Sequence, residues 1–278
     1  MSATVPRPRI AALALAVGIV LADSSIVVLA LPDIYRDFDT SIAGVTWVLV
    51  SFNLVMALAA VPAALAARRV GPARAAAVGL AVFAGAGLAC GVADQLSTLI
   101  LARCIQAVGG FLAVTAALEL LPASVGSERR AATVWASAGA TGAALGPAVG
   151  GILTELVSWQ SIFLIQVPLA LAAAVPILAV AKHEAATGIL ATELRRTGRP
   201  HIAANVALAM VSAAIAAALF LLVLLLIEGW RLTPIGAAIV VTAMPLAAIL
   251  GSRIGPLVPS ARARAAAGAI LVSGGLGG

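Results

Sequence analysis

Long apolar stretches are the feature of this sequence that most limits what it can fold into. Eight of them run for 19 to 33 residues and together hold three charged side chains. They cover residues 10–32, 40–67, 75–93, 95–127, 131–154, 156–181, 200–227 and 232–252. A helix needs about 20 mostly apolar residues to cross the hydrocarbon core of a bilayer. The sequence therefore predicts an all-α, polytopic membrane protein with about eight full spans.

A ninth apolar stretch begins after Arg264, but it is short. Only 14 residues follow Arg264, and the last of them is Gly278. At about 1.5 Å per residue such a helix reaches roughly 21 Å, which is less than the ~30 Å hydrocarbon core. We therefore expect a partial ninth span, a reading frame that continues beyond residue 278, and no export by residues 1–278 alone.

The overall composition excludes a soluble globular domain. The chain is 63% hydrophobic and 10% charged, whereas a soluble domain is about 45–50% apolar and about 25% charged. Its net charge of +6 does not indicate nucleic-acid binding, because the arginines occur in ones and twos between apolar stretches. The expected partners are the lipid bilayer and a small-molecule substrate, with no nucleic acid and no obligate protein partner.

The basic residues predict an orientation for the chain. If the N-terminus lies in the cytoplasm, 14 of the 17 lysines and arginines fall in cytoplasmic segments. Arg36 and Arg231 fall on the opposite side, and Arg103 lies inside a span. Cytoplasmic loops carry an excess of Lys and Arg in membrane proteins. The sequence thus predicts a multi-pass protein of the cell membrane with a cytoplasmic N-terminus.

Several motifs that would indicate enzymatic chemistry are missing from the sequence. It has no G-x-x-x-x-G-K-[ST] loop, no H-E-x-x-H, no C-x-x-C and no G-x-S-x-G. These patterns mark ATP hydrolysis, zinc sites and serine hydrolases. We therefore expect neither an enzyme nor a bound cofactor or metal, and any uphill transport must draw on an ion gradient.

Three charged residues inside spans are candidates for function, because an intramembrane charge is costly. Asp23 and Arg103 lie at comparable depth in spans one and four, so we expect both to face one cavity. Two structural alternatives remain open: a helix-packing hydrogen bond for Asp23, and a tether to carbonyls or a carboxylate for Arg103. The third charge, Glu119, fits an interfacial residue paired with an arginine. Possible polar contacts in the same cavity are Ser24, Ser25, Asn53 and Gln106.

Span five is rich in glycine. Gly142, Gly146 and Gly150 recur every four residues, which gives one narrow helix face for close contact with a neighbour. Gly151 follows directly, and Pro147 removes a backbone donor and favours a kink. Small-residue packing alone is enough to explain this spacing.

Together these residues resemble a known family. The run from Gly142 through Gly146-Pro147 to Gly150-Gly151 resembles the antiporter motif on the fifth helix of the major facilitator superfamily. The run from Asp23 to Pro32 resembles the first-helix signature of its multidrug:proton antiporters. The segment 101–110 resembles the fourth-helix motif, whose arginine the family links to proton coupling. The start of span six is similar too, with Gln166 where the family commonly has asparagine.

The resemblance implies a fold and a function. It implies a complete six-helix half over residues 10–181, a cytoplasmic inter-half loop over 182–200, and the beginning of a second half over 201–278. The implied function is secondary transport, namely proton-coupled export of amphipathic small molecules or drugs. Two alternatives stay open: export of a specific metabolite or self-made antibiotic, and a transport-inactive membrane fragment.

One segment departs from the family pattern. The loop between helices two and three usually reads G-x-L-A-D-R-x-G-R-[KR], and its acid takes part in a cytoplasmic gate. Here the gate loop carries Arg68, Arg69, Gly71 and Arg74, with Arg68 at the position of the acid. The resemblance then implies either that Glu119 or Glu128 replaces the acid or that the gate is weak.

Overall fold

The computed structural model describes residues 7–187, 222–223 and 225–243, and these residues form helices joined by short turns. The helices are α1 (Arg7–Ile26), α2 (Leu31–Asp37), α3 (Ile42–Leu58), α4 (Ala60–Val70), α5 (Pro72–Gly91), α6 (Leu96–Val125), α7 (Glu128–Leu156), α8 (Ser161–Leu164), α9 (Gln166–Thr187) and α10 (Pro234–Ala243). A 3₁₀ turn, Val27–Ala30, continues α1 into α2, and a π-helical turn, Leu225–Gly229, precedes α10.

Five helical segments in the described ranges are long and apolar enough to cross a membrane. They are Pro8–Asp37, Pro72–Gly91, Leu96–Val125, Glu128–Leu156 and Ser161–Ala179. Helix α3 is also apolar but has only 17 residues, and α4 follows it after Ala59. The helices thus lie at the first six apolar stretches of the sequence, with boundaries shifted by a few residues.

The sixth stretch differs most from its expected limits. Helix α9 continues to Thr187 and so enters the segment 182–200 that the sequence predicts as an inter-half loop. The added residues include two alanines and a glutamate, which favour helix. Most of the expected second half, including the ninth apolar stretch, lies outside the described residues.

Helices α5 and α6 touch through their backbones. A Cβ atom added at Gly79 would lie 2.6 Å from the carbonyl oxygen of Gly109. A Cβ added at Gly109 would lie 2.6 Å from the backbone nitrogen of Phe83. Small residues allow such an approach between membrane helices, where packing drives association. Helix α6 is therefore held closely against α5, and this fixes the position of Arg103 on its buried face.

The glycine face of α7 packs on α1, as its spacing predicts. A Cβ added at Gly142 would overlap the carbonyl oxygen of Gly18. A Cβ added at Gly150 would overlap the carbonyl oxygen of Ile26. At Gly146 it would overlap the hydroxyl of Ser25. Since this face allows no side chain, the two backbones meet along about two turns of each helix.

Gly151 lies on a different face of α7 from the other glycines. A Cβ there would lie 2.7 Å from the carbonyl oxygen of Pro234 and 2.6 Å from the Cβ of Ala238. The carboxylate of Glu155 accepts a hydrogen bond of 2.8 Å from the backbone N–H of Ile235, in the first turn of α10. A carboxylate is favourable at a helix N-terminus. The described part of the expected second half is therefore anchored at the end of α7.

Aromatic contacts join the end of α2 to α8. Trp159 Nε1 donates a 2.9 Å hydrogen bond to the carboxylate of Asp37. The indole also packs against Phe38 and Phe163, with ring centroids 5.6 and 6.2 Å away. These contacts fix α8 and place the Phe163 ring beside the buried site described below.

The turn between α6 and α7 requires a left-handed residue, and it supports a first prediction. Gly126 has φ +71° and donates its N–H to the carbonyl of Pro122 at 2.8 Å. An added Cβ meets no atom within 4 Å, so only backbone strain opposes a side chain here. We expect Gly126→Ala to lower the free energy of unfolding by about 1 kcal/mol.

Thermal unfolding of the purified protein in detergent measures this effect. Gly126→Asn is the matched control, because asparagine tolerates the left-handed region better than alanine. An alanine variant as stable as the wild type would show that the turn does not require this backbone conformation.

Candidate functional site

The two charged residues of spans one and four meet in the interior. Asp23 on α1 and Arg103 on α6 are both 0% exposed. Arg103 Nη1 donates to Asp23 Oδ2, and the two form a buried salt bridge. A pair of this kind is tolerated only where further hydrogen bonds satisfy both partners.

Two glutamines supply such bonds to the carboxylate. Gln166 on α9 donates from Nε2 to Asp23 Oδ1 at 2.9 Å. Gln106, one turn beyond Arg103 on α6, donates to the same oxygen at 3.4 Å. Three helices therefore converge on one carboxylate, and both glutamines are buried.

The guanidinium of Arg103 has its own set of partners. Nη1 also donates to Gln106 Oε1 at 2.7 Å, and Nε donates to the backbone carbonyl of Val48 at 3.3 Å. The guanidinium carbon lies 4.0 Å from the ring centroid of Phe52 and 5.5 Å from that of Phe163. Aromatic faces attract a cation, and more strongly where water is excluded. The buried guanidinium of Arg103 is thus stabilised by a carboxylate, a side-chain amide, a backbone carbonyl and two aromatic rings.

Two polar atoms of this cluster lack a hydrogen-bond partner among the described residues. They are Arg103 Nη2, a donor, and Gln166 Oε1, an acceptor. A buried group of this kind costs about 1–3 kcal/mol. The cluster is therefore not fully satisfied in the conformation that the structure holds.

The structure brings Asp23 and Arg103 together, and the expectation that both face one cavity stays a prediction. The two side chains face each other, and neither lines the cleft described below. The reason is packing, because the Phe52 and Phe163 rings and the two glutamines surround the pair. The sequence left open that Arg103 contacts a carboxylate or backbone carbonyls. Both kinds of contact are present, with Asp23 and with the carbonyl of Val48.

Ser25 and Asn53 lie outside this cluster. The hydroxyl of Ser25 donates to the carbonyls of Ala22 and Ala143, at 2.9 and 3.1 Å, so it joins α1 to α7. Asn53 donates to the carbonyl of Leu49 at 2.9 Å and accepts a 3.3 Å hydrogen bond from Ser24. Of the polar residues expected around Asp23 and Arg103, the structure brings Gln106 to the pair and leaves these two apart.

Gln166 is a site residue that the sequence did not single out as one. In the sequence, it stands out only as a departure from the asparagine common in the family. One signal was available: Gln166 lies between the apolar residues Ile165 and Val167 of a predicted span, where a buried polar group needs a partner. The sequence alone could not identify that partner, because α9 and α1 meet only in the tertiary structure.

The gate segment is a tight link between two helices. Arg68 and Arg69 belong to the last turn of α4, and Arg74 belongs to the first turn of α5. Gly71 alone connects these helices, with φ +89°. Arg69 and Arg74 are exposed. The side chain of Arg68 lies outside the described part of the structure, and the expected replacement of the gate acid by Glu119 or Glu128 stays a prediction.

A cleft of about 630 Å³ lies next to Gln166. Helices α1, α7 and α9 line it, and most of the lining is apolar. This volume is within the range of about 300–1,000 Å³ that small-molecule sites occupy. The arrangement places a drug-sized apolar space beside an amide that contacts the buried carboxylate.

Comparisons with known proteins give the chain a set of relatives. It is 34% identical over 258 residues to a methylenomycin A resistance protein of Streptomyces coelicolor. The aligned region covers 88% of this chain and 51% of that protein. It is 35% identical over 169 residues to the drug efflux pump JefA of Mycobacterium tuberculosis. That aligned region covers 59% of this chain and 33% of the pump. The chain thus spans between a third and a half of the length of these relatives.

The fold has a counterpart among solved structures. A crystal structure of the peptide transporter POT in complex with sulfate superimposes with a TM-score of 0.57 over 91% of this chain and 51% of that one. The sequence identity is 18%, so this likeness concerns the fold alone. The family model described as Major Facilitator Superfamily matches residues 13–278. By that match and by its helical, membrane-spanning architecture, the chain belongs to the major facilitator superfamily.

Proposed function

We propose that this chain serves proton-coupled export of amphipathic small molecules, drugs or antibiotics across the cell membrane. The observation that carries the proposal is the buried Asp23–Arg103 pair, because in it one carboxylate on α1 contacts both α6 and α9. The names of the two relatives refer to antibiotic resistance and to drug efflux, and they support the cargo class.

The chemistry of the pair suggests how a proton acts. Arginine stays charged at any working pH, whereas a carboxylate can be neutralised. When Asp23 takes up a proton, Arg103 loses its counter-ion while still buried, and an unpaired buried charge is strongly unfavourable. The protein then favours a conformation in which Arg103 finds another partner, and α6 moves relative to α1. Release of the proton restores the pair.

The proposal includes a topology. The N-terminus lies in the cytoplasm, since 14 of the 17 basic residues then fall in cytoplasmic segments. Residues 10–181 form a six-helix half, and the second half begins near residue 201, for about eight spans and a partial ninth. The chain carries cargo without enzymatic chemistry and works without a bound cofactor or an obligate protein partner.

A second candidate within transport is export of one specific antibiotic. The resistance protein of Streptomyces coelicolor favours it, because its name refers to a single compound, methylenomycin A. Uptake of a panel of unrelated amphipathic compounds separates the two. Broad uptake supports multidrug export, and uptake of one compound supports a dedicated exporter.

Proteoliposomes with an acidic interior test the proposed function. With the protein expressed from its gene, we expect ethidium to accumulate while the pH gradient lasts. A protonophore should abolish that accumulation. Ethidium uptake that is independent of the gradient would exclude proton coupling, and no uptake of any compound would favour the transport-inactive alternative.

Replacing Arg103 by lysine tests the role of the guanidinium in the same assay. Arg103→Lys keeps the charge, but a single ammonium cannot contact Asp23, Gln106 and the Val48 carbonyl at once. We expect gradient-driven uptake to fall about tenfold, which corresponds to roughly 1.4 kcal/mol.

The matched control is Arg129→Lys, because Arg129 is exposed in the first turn of α7. It should transport at the wild-type rate. If Arg103→Lys does so too, with an unchanged pH dependence, then the pair is only a structural tether.

A further inference from the structure

The two oxygens of the Asp23 carboxylate have different partners. Oδ1 accepts hydrogen bonds from two amides, Nε2 of Gln166 at 2.9 Å and Nε2 of Gln106 at 3.4 Å. Oδ2 accepts from Nη1 of Arg103. A carboxylate oxygen offers about two lone-pair sites, so the two amides occupy Oδ1. Among the described residues, the arginine and the amides therefore bind different oxygens of one acid.

Other groups fix the orientation of both amides. Gln166 Nε2 also donates to the backbone carbonyl of Ile162 at 2.9 Å, where an amide oxygen would be repelled. Gln106 Oε1 accepts from Arg103 Nη1 at 2.7 Å and from the thiol of Cys90 at 3.6 Å. The orientation of a side-chain amide follows from its hydrogen bonds, and only one orientation of each amide satisfies these contacts. The amides thus present Oδ1 with donors rather than acceptors.

We infer that the proton that Asp23 takes up binds to Oδ2, the oxygen that Arg103 holds, and that Gln166 directs it there. The inference rests on the proposed function, in which Asp23 takes up a proton, and it names the atom at which the proton acts. A proton on Oδ1 would need an acceptor, whereas both amides offer N–H groups there. A proton on Oδ2 makes that oxygen a donor and leaves Oδ1 as the acceptor of both amides. Proton binding and the ion pair then exclude each other.

The step balances in bonds and in charge. A hydronium ion gives its proton to Asp23 Oδ2 and becomes water, so an O–H bond forms and the carboxylate loses its charge. The hydrogen bond from Arg103 Nη1 to Oδ2 breaks, because a hydroxyl accepts more weakly than a carboxylate. Nη1 bridges Oδ2 and Gln106 Oε1, so the new hydroxyl donates to Oε1 once Nη1 has moved away. Arg103 must then find other acceptors.

Gln166 is a positioning residue in this step, because it acts through Asp23. Without its N–H group, Oδ1 would keep only the longer hydrogen bond from Gln106. The carbonyl of Ile162 would lose the donor that contacts it in the structure, and it could then accept a proton carried on Oδ1. Asp23 would become neutral while Oδ2 still accepts from Arg103. Proton uptake would no longer release the arginine.

The groups around the carboxylate restrict what a change in pH can act on. In the part of the chain that the structure describes, the charged or titratable side chains at this acid are Arg103 on α6 and Cys90 on α5. The thiol donates to Gln106 and so carries its own proton. Helices α3 and α8 contribute aromatic rings, α7 contributes glycines, and α9 contributes an uncharged amide. Acidification therefore acts on the cluster through Asp23.

Rotational-echo double-resonance NMR tests the inference on the purified protein, expressed from its gene, in liposomes without a gradient. Aspartate is labelled at the carboxyl carbon and arginine at the guanidinium nitrogens. Their dipolar coupling reports the contact between Asp23 and Arg103, and the carbon chemical shift reports whether the acid carries a proton. Subtraction of the spectrum of Asp23→Asn identifies the Asp23 signal. In the wild type, we expect acidification to protonate Asp23 and to abolish the coupling.

Gln166→Met tests the positioning role, because methionine keeps the length of the side chain but has no N–H group. In this variant we expect a protonated Asp23 that retains its coupling to Arg103. Gradient-driven uptake should fall about tenfold, since proton uptake no longer releases the arginine. Gln95→Met is the matched control, because Gln95 is exposed just before α6. It should match the wild type in both measurements.

Three results would overturn the inference. The first is a wild type in which protonated Asp23 keeps its coupling to Arg103, and the second is a wild type in which Asp23 stays ionised until the protein unfolds. Both are read without any change at Gln166, so they hold even if Gln166→Met does not fold. The third is a Gln166→Met variant that loses the coupling on acidification as the wild type does, which is the result of a purely structural role.

The spectra and the uptake assay separate this inference from the proposed function. Gradient-driven uptake by a wild type that gives either of the first two results would refute the inference and keep proton-coupled export. The expected spectra without gradient-driven uptake would refute the proposed function and keep the assignment of the proton to Oδ2.

Discussion

Asp23→Asn is expected to abolish gradient-driven export in proteoliposomes. The amide keeps the shape of the carboxyl group but can neither take up a proton nor balance the charge of Arg103. Since Arg103 is 0% exposed, it then lacks a counter-ion in the interior. Loss of one partner of a buried pair costs about 3–5 kcal/mol, so we also expect a lower unfolding temperature.

A double variant separates transport from stability. Asp23→Leu combined with Arg103→Met removes both charges, and replacement of a buried ion pair by apolar residues is often neutral or stabilising. The double variant should therefore recover most of the lost stability while export stays absent. Asp39→Asn is the matched control, because Asp39 is exposed and has a positive φ that asparagine accepts. Export by the double variant would assign the pair a purely structural role.

Gly142→Leu should separate α7 from α1. At this position the Cβ alone would overlap the carbonyl oxygen of Gly18, so the backbones must move apart to admit a side chain. Overpacking of this kind costs about 1–3 kcal/mol, and we expect the upper end because both contacting groups are backbone. Thermal unfolding in detergent measures the loss.

Ala140→Leu serves as the control for this effect. Ala140 is exposed on the same helix, two residues before Gly142, so it receives the same leucine side chain without a clash. Its unfolding temperature should match that of the wild type. Equal unfolding temperatures for the two variants would show that close contact between α1 and α7 contributes little to stability.

The sequence predicted the features that depend on the polarity of single residues and on their spacing along one helix. Long apolar stretches predicted where the helices over residues 7–187 lie, because a helix that crosses a bilayer needs about 20 mostly apolar residues. The cost of an intramembrane charge drew attention to Asp23 and Arg103. The four-residue spacing of Gly142, Gly146 and Gly150 predicted a close contact face, since residues four apart share one side of a helix. Each of these inferences requires only local sequence.

Other features depended on how the helices are rotated and packed. The sequence could not show that α1 is the neighbour of the glycine face, or that Gly151 faces α10 instead. It grouped Ser25 and Asn53 with Asp23, although the structure directs them to other partners. It gave Gln166 no role, although that residue touches the carboxylate from a helix 143 positions along the chain.

The physical reason for this division is the range of the forces involved. The free energy of transfer into a bilayer and the periodicity of a helix are properties of one segment. Each can therefore be inferred from the residues of that segment alone. Hydrogen bonds between spans require two particular helix faces to meet within about 3 Å. Only the tertiary structure, which sets the rotation and depth of every helix, decided that Asp23, Arg103, Gln106 and Gln166 form one buried cluster.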